Sequence, residues 1–196
     1  MNRSFLLLMA CVVSMTMYIS CQSKSDKLPL STYTLHFEHT FGNESFSLDK
    51  RFVTLNQDTV DFTRFEYYIS NIQLILQDGS IWREQESYHL VRVDQAVGNR
   101  FTIQIDSVPA RQIAELRFAV GVDSVRNSSG AQVGALDPLN GMFWTWRTGY
   151  IFFKSEGFYY QGSFKGGLVY HIGTQAAYTP LQFKTSANQQ KEATIR

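Results

Sequence analysis

Residues 33–41 (YTLHFEHTF) alternate with a period of two. In an extended segment that alternation puts Tyr33, Leu35, Phe37, His39 and Phe41 on one face and Thr34, His36, Glu38 and Thr40 on the other. Short runs of the same character recur at 65–75 (FEYYISNIQLI), 86–93 (ESYHLVRV), 101–105 (FTIQI), 116–122 (LRFAVGV), 142–154, 157–164, 167–172 and 181–184. Asp78-Gly79, Gly98-Asn99, 127–130 (NSSG) and Gly166-Gly167 punctuate them as turns. Many short β-rich runs separated by Gly, Asn and Asp predict an all-β fold: an antiparallel β-sandwich with long loops and little helix. The stretch 109–116 (PARQIAEL) reads as one short helix or as the lead into the next strand, and the polar tail after Lys184 has room for a last strand.

The first 20 residues break this pattern. MNRSFLLLMACVVSMTMYIS carries one positive charge, Arg3, then an apolar run from Phe5 to the small Ser20. That is the pattern of an export signal, too short and too close to the terminus for a committed membrane span. Tyr18-Ile19-Ser20-Cys21 reads as a loose lipobox, making Cys21 the lipidated first residue of the mature protein and residues 22–31 a polar tether to a domain over 32–196. The competing reading is a soluble secreted protein cut near the same place. The expected location is therefore outside the inner membrane, periplasm-facing or on the outer-membrane surface, held by the lipid anchor.

Cys11 falls inside the signal, so Cys21 is the one mature cysteine and no intrachain disulfide forms. The formal charge is +1, and removing Arg3 with the leader brings it to about zero. With no basic tail or patch, nucleic acid is not expected as a partner.

Dinucleotide, P-loop, nucleophile-elbow, HExxH and CxxC patterns are absent from the sequence, and no pair of carboxylates or activated nucleophile can be read from spacing, so an enzyme is not expected. His36 and His39 form an HxxH, but three residues along a strand separates them onto opposite faces. His39, on the apolar face, and His171, in the aromatic-flanked 168–173 (LVYHIG), each read as a core histidine or as a ligand. His36 and His89 read as ordinary strand positions.

The segment 141–150 (GMFWTWRTGY) holds two of the three tryptophans. If extended, it places Met142, Trp144, Trp146, Thr148 and Tyr150 on one face and Phe143, Thr145 and Arg147 on the other. The spacing alone favours core. An indole N–H only donates, so unmodified tryptophan is a poor metal ligand.

Taken with Gly121-Val122-Asp123, Leu136-Asp137-Pro138 and Glu156-Gly157, that segment resembles the MbnP-like proteins, exported copper-binding proteins first associated with methanobactin operons. The 65–72 run, Asp78-Gly79, Tyr88-His89-Leu90 and Tyr170-His171-Ile172-Gly173 fit the same pattern, so the resemblance spans about residues 33–184. It implies a β-sandwich that holds Cu(I) with two imidazoles and a kynurenine, made from tryptophan by a partner di-haem enzyme of the cytochrome c peroxidase type. Carried onto this chain, the ligands are His39 and His171, the modifiable position is Trp144 or Trp146, and Met142 is a weak contributor. Ring opening converts a donor-only indole into an aryl amine and a ketone, which gives copper a lone pair.

Two other readings compete. One is a metal-free sandwich lipoprotein that stacks carbohydrate or a protein partner on Trp82, Trp144 and Trp146. The other is a calcium-stabilised loop over Asp123, Asn127, Asp137 and Asn140, against which stands ordinary turn chemistry.

Overall fold

The computed structural model describes residues 28–96, 98–144, 149–186 and 189–196. β1 (Leu30–Glu38) keeps the expected alternation: Tyr33, Leu35 and Phe37 are buried, and the residues between them are partly exposed. It pairs antiparallel with β8 (Arg100–Pro109) and parallel with β13 (Glu192–Ile195), the strand formed by the C-terminal tail.

The second, larger sheet is organised around β5 (Thr59–Leu76) and runs β11 (Phe164–Ile172), β10 (Phe153–Gln161), β5, β9 (Ile113–Val120), β12 (Thr179–Lys184). Short strands β4 (Phe52–Val53), β6 (Ile81–Arg83) and β7 (Tyr88–Arg92) pair with β5, while β2 (Thr40–Phe41) and β3 (Glu44–Ser45) form their own small ladder. The chain is thus an all-β sandwich, antiparallel apart from the β1–β13 pair. The 109–116 stretch leads from β8 into β9, and the helix is α1 (Ser124–Ser128), a five-residue turn inside the long β9–β10 connection.

β5 is too long to stay in one register. At Asn71, with φ of 56°, its pairing with β9 shifts between Ser70 and Gln73. Ile69 and Ile72 therefore both reach the same core, where strict alternation would oppose them. An asparagine tolerates this left-handed backbone, and its Nδ2 donates to the Tyr178 hydroxyl at 2.9 Å.

Burial on both faces of the large sheet follows from this path. The main core lies between the sheets and joins Tyr33, Leu35 and Phe37 to Ile69, Ile72, Leu116 and Phe118. A second core lies on the other face, where the β9–β10 connection folds back to bury Tyr68, Val122, Leu136, Met142, Tyr150 and Phe152. A third cluster of Phe46, Phe52, Val60 and Val93, with Phe41, Phe62, Phe65 and Tyr159 packed against it, closes the end beyond β1.

Candidate functional site

The 142–154 run departs from the single strand expected of it. The Met142 carbonyl accepts from the Ile151 amide at 2.9 Å, the Trp144 amide donates to the Gly149 carbonyl at 3.1 Å, and Phe143 bridges Tyr150. The chain therefore folds back on itself as a narrow antiparallel excursion. A strand cannot run straight through Gly149, whose φ is 141°. Residues 145–148, Trp146 among them, lie outside the described residues. Met142 is fully buried in the second core, where it packs as an ordinary core residue.

Trp144 is half-buried on that same core, and its benzene ring lies against Gly173 at the end of β11. A Cβ at Gly173 would sit 2.3 Å from the Tyr150 carbonyl oxygen and 2.8 Å from the ring, so only glycine lets the loop approach this closely. The Phe152 amide donating to the Ile172 carbonyl at 2.7 Å continues the pairing at this end of the strand. Alternation along β11 then directs His171 and the position-173 Cβ to one face, and Tyr170 and Leu168 to the other.

His171 is partly exposed. Its Nε2 lies 2.7 Å from Glu156 Oε1 across the β10–β11 pair, and the Arg64 guanidinium flanks the same carboxylate at 3.5 Å. With Nε2–H donating to Glu156, the imidazole lone pair is on Nδ1. A carboxylate fixing tautomer and ring orientation in this way is the usual support of a metal-ligating histidine. Beside it Lys154, buried, donates from Nζ to the Gly141 carbonyl at 2.5 Å and ties the base of the tryptophan loop to β10.

His39 is elsewhere. Its Nδ1 donates to the Asn99 carbonyl at 2.8 Å, and its Nε2 accepts from the Tyr67 hydroxyl at 2.9 Å. The ring stands edge-on to Phe65 and Tyr67, with centroids 5.5 and 5.6 Å away. Desolvation by burial lowers its pKa below the ordinary histidine value, partly opposed by the Asn99 carbonyl. Tyr67 and Phe153 share one face of the large sheet, whereas Lys154 and His171 share the other. The structure therefore does not bring His39 and His171 together: the sheet itself stands between them.

A family model, MbnP, matches residues 30–196. The chain belongs to the MbnP family. The solved structure of MbnP from Methylosinus trichosporium is similar in fold, with a TM-score of 0.54 over 80% of this chain and 71% of that one, at 12% sequence identity. Among the curated proteins no match is found.

Several motif residues through which the MbnP resemblance was read build the β9–β10 connection. Asp123 caps α1 by accepting from the Val125 and Arg126 amides, and it also accepts from the Tyr88 hydroxyl and from Asn71 at 3.3 Å. Burial alone would raise its carboxyl, but the Tyr88 bond, the backbone amides and Asn71 together hold it below the usual value. Asp137 caps the 3-10 turn Pro138–Asn140, with Pro138 at its first position. Asn127 Oδ1 accepts from the Tyr150 amide at 2.8 Å, and Asn140 Nδ2 donates to the Gly134 and Ala135 carbonyls. The four residues of the expected calcium loop thus each serve a separate cap or turn.

The tryptophans form no common stacking surface among the described residues, since Trp82 packs on the main core and Trp144 on the second. Cys21 and the expected leader, residues 1–20, lie outside the described residues, and no described helix is long and apolar enough to cross a membrane. Spacing gave no hint that Glu156 faces His171, although Glu156-Gly157 was already among the motif residues. The pairing depends on the β10–β11 register, which a single sequence does not display.

Proposed function

We propose that this chain is an exported copper-binding lipoprotein, anchored at Cys21 and facing the periplasm or the cell surface. It holds Cu(I) where the tryptophan loop crosses the end of β11, for scavenging, storage or transfer. The imidazole ligand is His171, oriented by Glu156. The other is a kynurenine formed from Trp144 or Trp146 by a di-haem partner enzyme, and His39 takes no part.

What carries this reading is Trp144 packed over Gly173, two residues along the strand from His171 and on its face, in a chain of the MbnP family. Among the described residues no three His, Cys, Asp or Glu side chains are grouped as a metal site. Imidazoles and carboxylates of the described fold therefore do not make up a ligand set, and an aryl amine and ketone from the loop would complete one. Bound there, copper would supply a soft one-electron centre; the chain's part is to fix the His171 tautomer and to pin the loop through Lys154 and Gly173.

The test is to purify the protein after co-expression with the di-haem oxidase, then measure Cu(I) stoichiometry and intact mass. The expected result is a single Cu(I), a fixed mass increase on one tryptophan, loss of copper in His171→Ala and retention in His39→Ala. An unmodified protein that binds no Cu(I), or copper lost only in His39→Ala, would overturn the proposal.

A further inference from the structure

On the sheet face opposite His171, a cleft of about 590 Å³ opens where β1 leaves the sandwich. That is within the range of small-molecule sites, roughly 300–1,000 Å³. Its shape follows from strand register. Phe65, Ser155 and Tyr170 lie in one row across β5, β10 and β11, and Tyr67, Phe153 and Ile172 form the next. Ser155 is the one small residue in that pair of rows, so it leaves a dent between aromatic rings.

Ser155 is 2% exposed and lines this cleft, and its Oγ has no hydrogen-bond partner among the described residues. A buried hydroxyl left unpaired costs about 1–3 kcal/mol, so natural sites seldom leave one without a partner. A ligand group reaching the dent would satisfy it. Most of the rest of the wall is rings, with Ile69, Val120, Leu181 and Ile195 as its aliphatic part: Phe65 stands edge-on to Phe153 at 5.3 Å and tilted to Phe46 at 4.9 Å, and His39 and Tyr67 complete the rim.

The electrostatics select against charge. His39 has both ring nitrogens satisfied and is held toward its neutral form by burial. Arg196 and Glu38, the charged residues of the rim, are paired at 2.8 Å, and Arg100 holds the same carboxylate at 3.5 Å. An ion entering the cleft would lose its water and gain no counter-charge. Rings that offer both faces and edges favour a planar aromatic occupant over an alkyl chain.

We propose that this cleft binds an uncharged aromatic small molecule whose single hydroxyl or carbonyl group hydrogen-bonds Ser155. The site is separate from the copper site and independent of it, since the large sheet lies between them. β1 runs from Leu30 to Glu38, so the cleft lies at the C-terminal end of that strand, about 26 Å from its start at 3.3 Å per residue.

Equilibrium dialysis of the full mature chain against naphthol, naphthalene and dodecanol tests this. Saturable one-site binding of naphthol is expected, weakened about tenfold by Ser155→Ala, the loss of one hydrogen bond, with naphthalene binding unchanged. Ser155→Leu, which fills the dent, should abolish binding of both aromatic probes while thermal unfolding still shows a folded protein. Failure of the wild type to saturate with naphthol, an equal effect of Ser155→Ala on both aromatic probes, or tighter binding of dodecanol than of naphthol would overturn the proposal. None of these readouts depends on copper or on tryptophan oxidation.

Discussion

The benzene ring of Trp144 covers Gly173 so closely that a Cβ there would sit 2.8 Å from two ring carbons and 2.3 Å from the Tyr150 carbonyl oxygen. The second contact is with backbone whose peptide N–H, that of Ile151, donates to the Met142 carbonyl, so it is not relieved by turning a side chain. Gly173→Ala is expected to destabilise the fold by about 1–3 kcal/mol and to displace the tryptophan loop. Thermal unfolding measures the first effect. Copper stoichiometry and the extent of tryptophan oxidation measure the second, and both should fall together.

In the proposed copper site Glu156 would act through His171, whose Nε2 it meets at 2.7 Å, rather than by touching metal. Glu156→Gln keeps size and position but accepts the imidazole N–H less strongly, so the lone pair on Nδ1 is less well oriented. Cu(I) affinity, measured by competition with a chromophoric chelator, should drop by about 10–100-fold, with stability nearly unchanged. A merely structural Glu156 would lower the melting temperature and leave affinity alone.

The alternation was legible over 33–38 because one face of β1 is buried and the other half-exposed, and period two records that difference directly; the expected strand stops at Glu38, short of His39 and Phe41. The 116–122 run was legible from its apolar, β-prone residues, although the strand it belongs to spans Ile113–Val120, and the mostly polar tail does add a last strand. The 142–154 run was not: its apolar and aromatic residues suit a strand, but Gly149 and the self-pairing of Met142 with Ile151 turn it into a loop packed on a second core. The separation of the two candidate histidines was not legible, for a topological reason. His39 and His171 each sit beside aromatic strand positions, and only the β5–β10–β11 register reveals that they occupy opposite faces of one sheet. Ser155 was invisible for the same reason, since a serine in a strand attracts notice only once its neighbours across the sheet are known.

Asp123 joins three elements: it caps α1, accepts from Tyr88 on β7 and accepts from Asn71 at the β5 bulge. Asp123→Ala removes the cap and leaves buried donors unmatched, so a loss of about 1–3 kcal/mol is expected in urea unfolding. Asp123→Asn retains the acceptor for the helix amides and should recover part of it. Because the folded carboxyl titrates below its ordinary value, the wild-type advantage over Asp123→Asn is present above the unfolded pKa. It disappears as pH falls through the folded one.

His39 offers a stability signature opposite in chemical origin to a ligand histidine. Its folded pKa is depressed, chiefly by burial, so above the ordinary histidine value near 6.5 both folded and unfolded chains carry it neutral and it makes no pH-dependent contribution. As pH falls below that value the unfolded chain takes up a proton that the folded chain refuses, and unfolding is favoured until the folded pKa is reached. Protonation in place would force Nε2 to give up the Tyr67 hydroxyl, whose own proton burial holds far above its ordinary range, and would set a charge among Phe65 and Phe46 with only the paired Glu38 and Arg196 at the rim. His39→Gln, which keeps hydrogen-bonding capacity without titrating, should flatten this part of the stability-versus-pH curve. Chemical denaturation at a series of pH values from 7.5 downward reads the effect directly, because the wild-type curve should fall more steeply than that of the variant. Parallel curves would mean that His39 does not carry the loss.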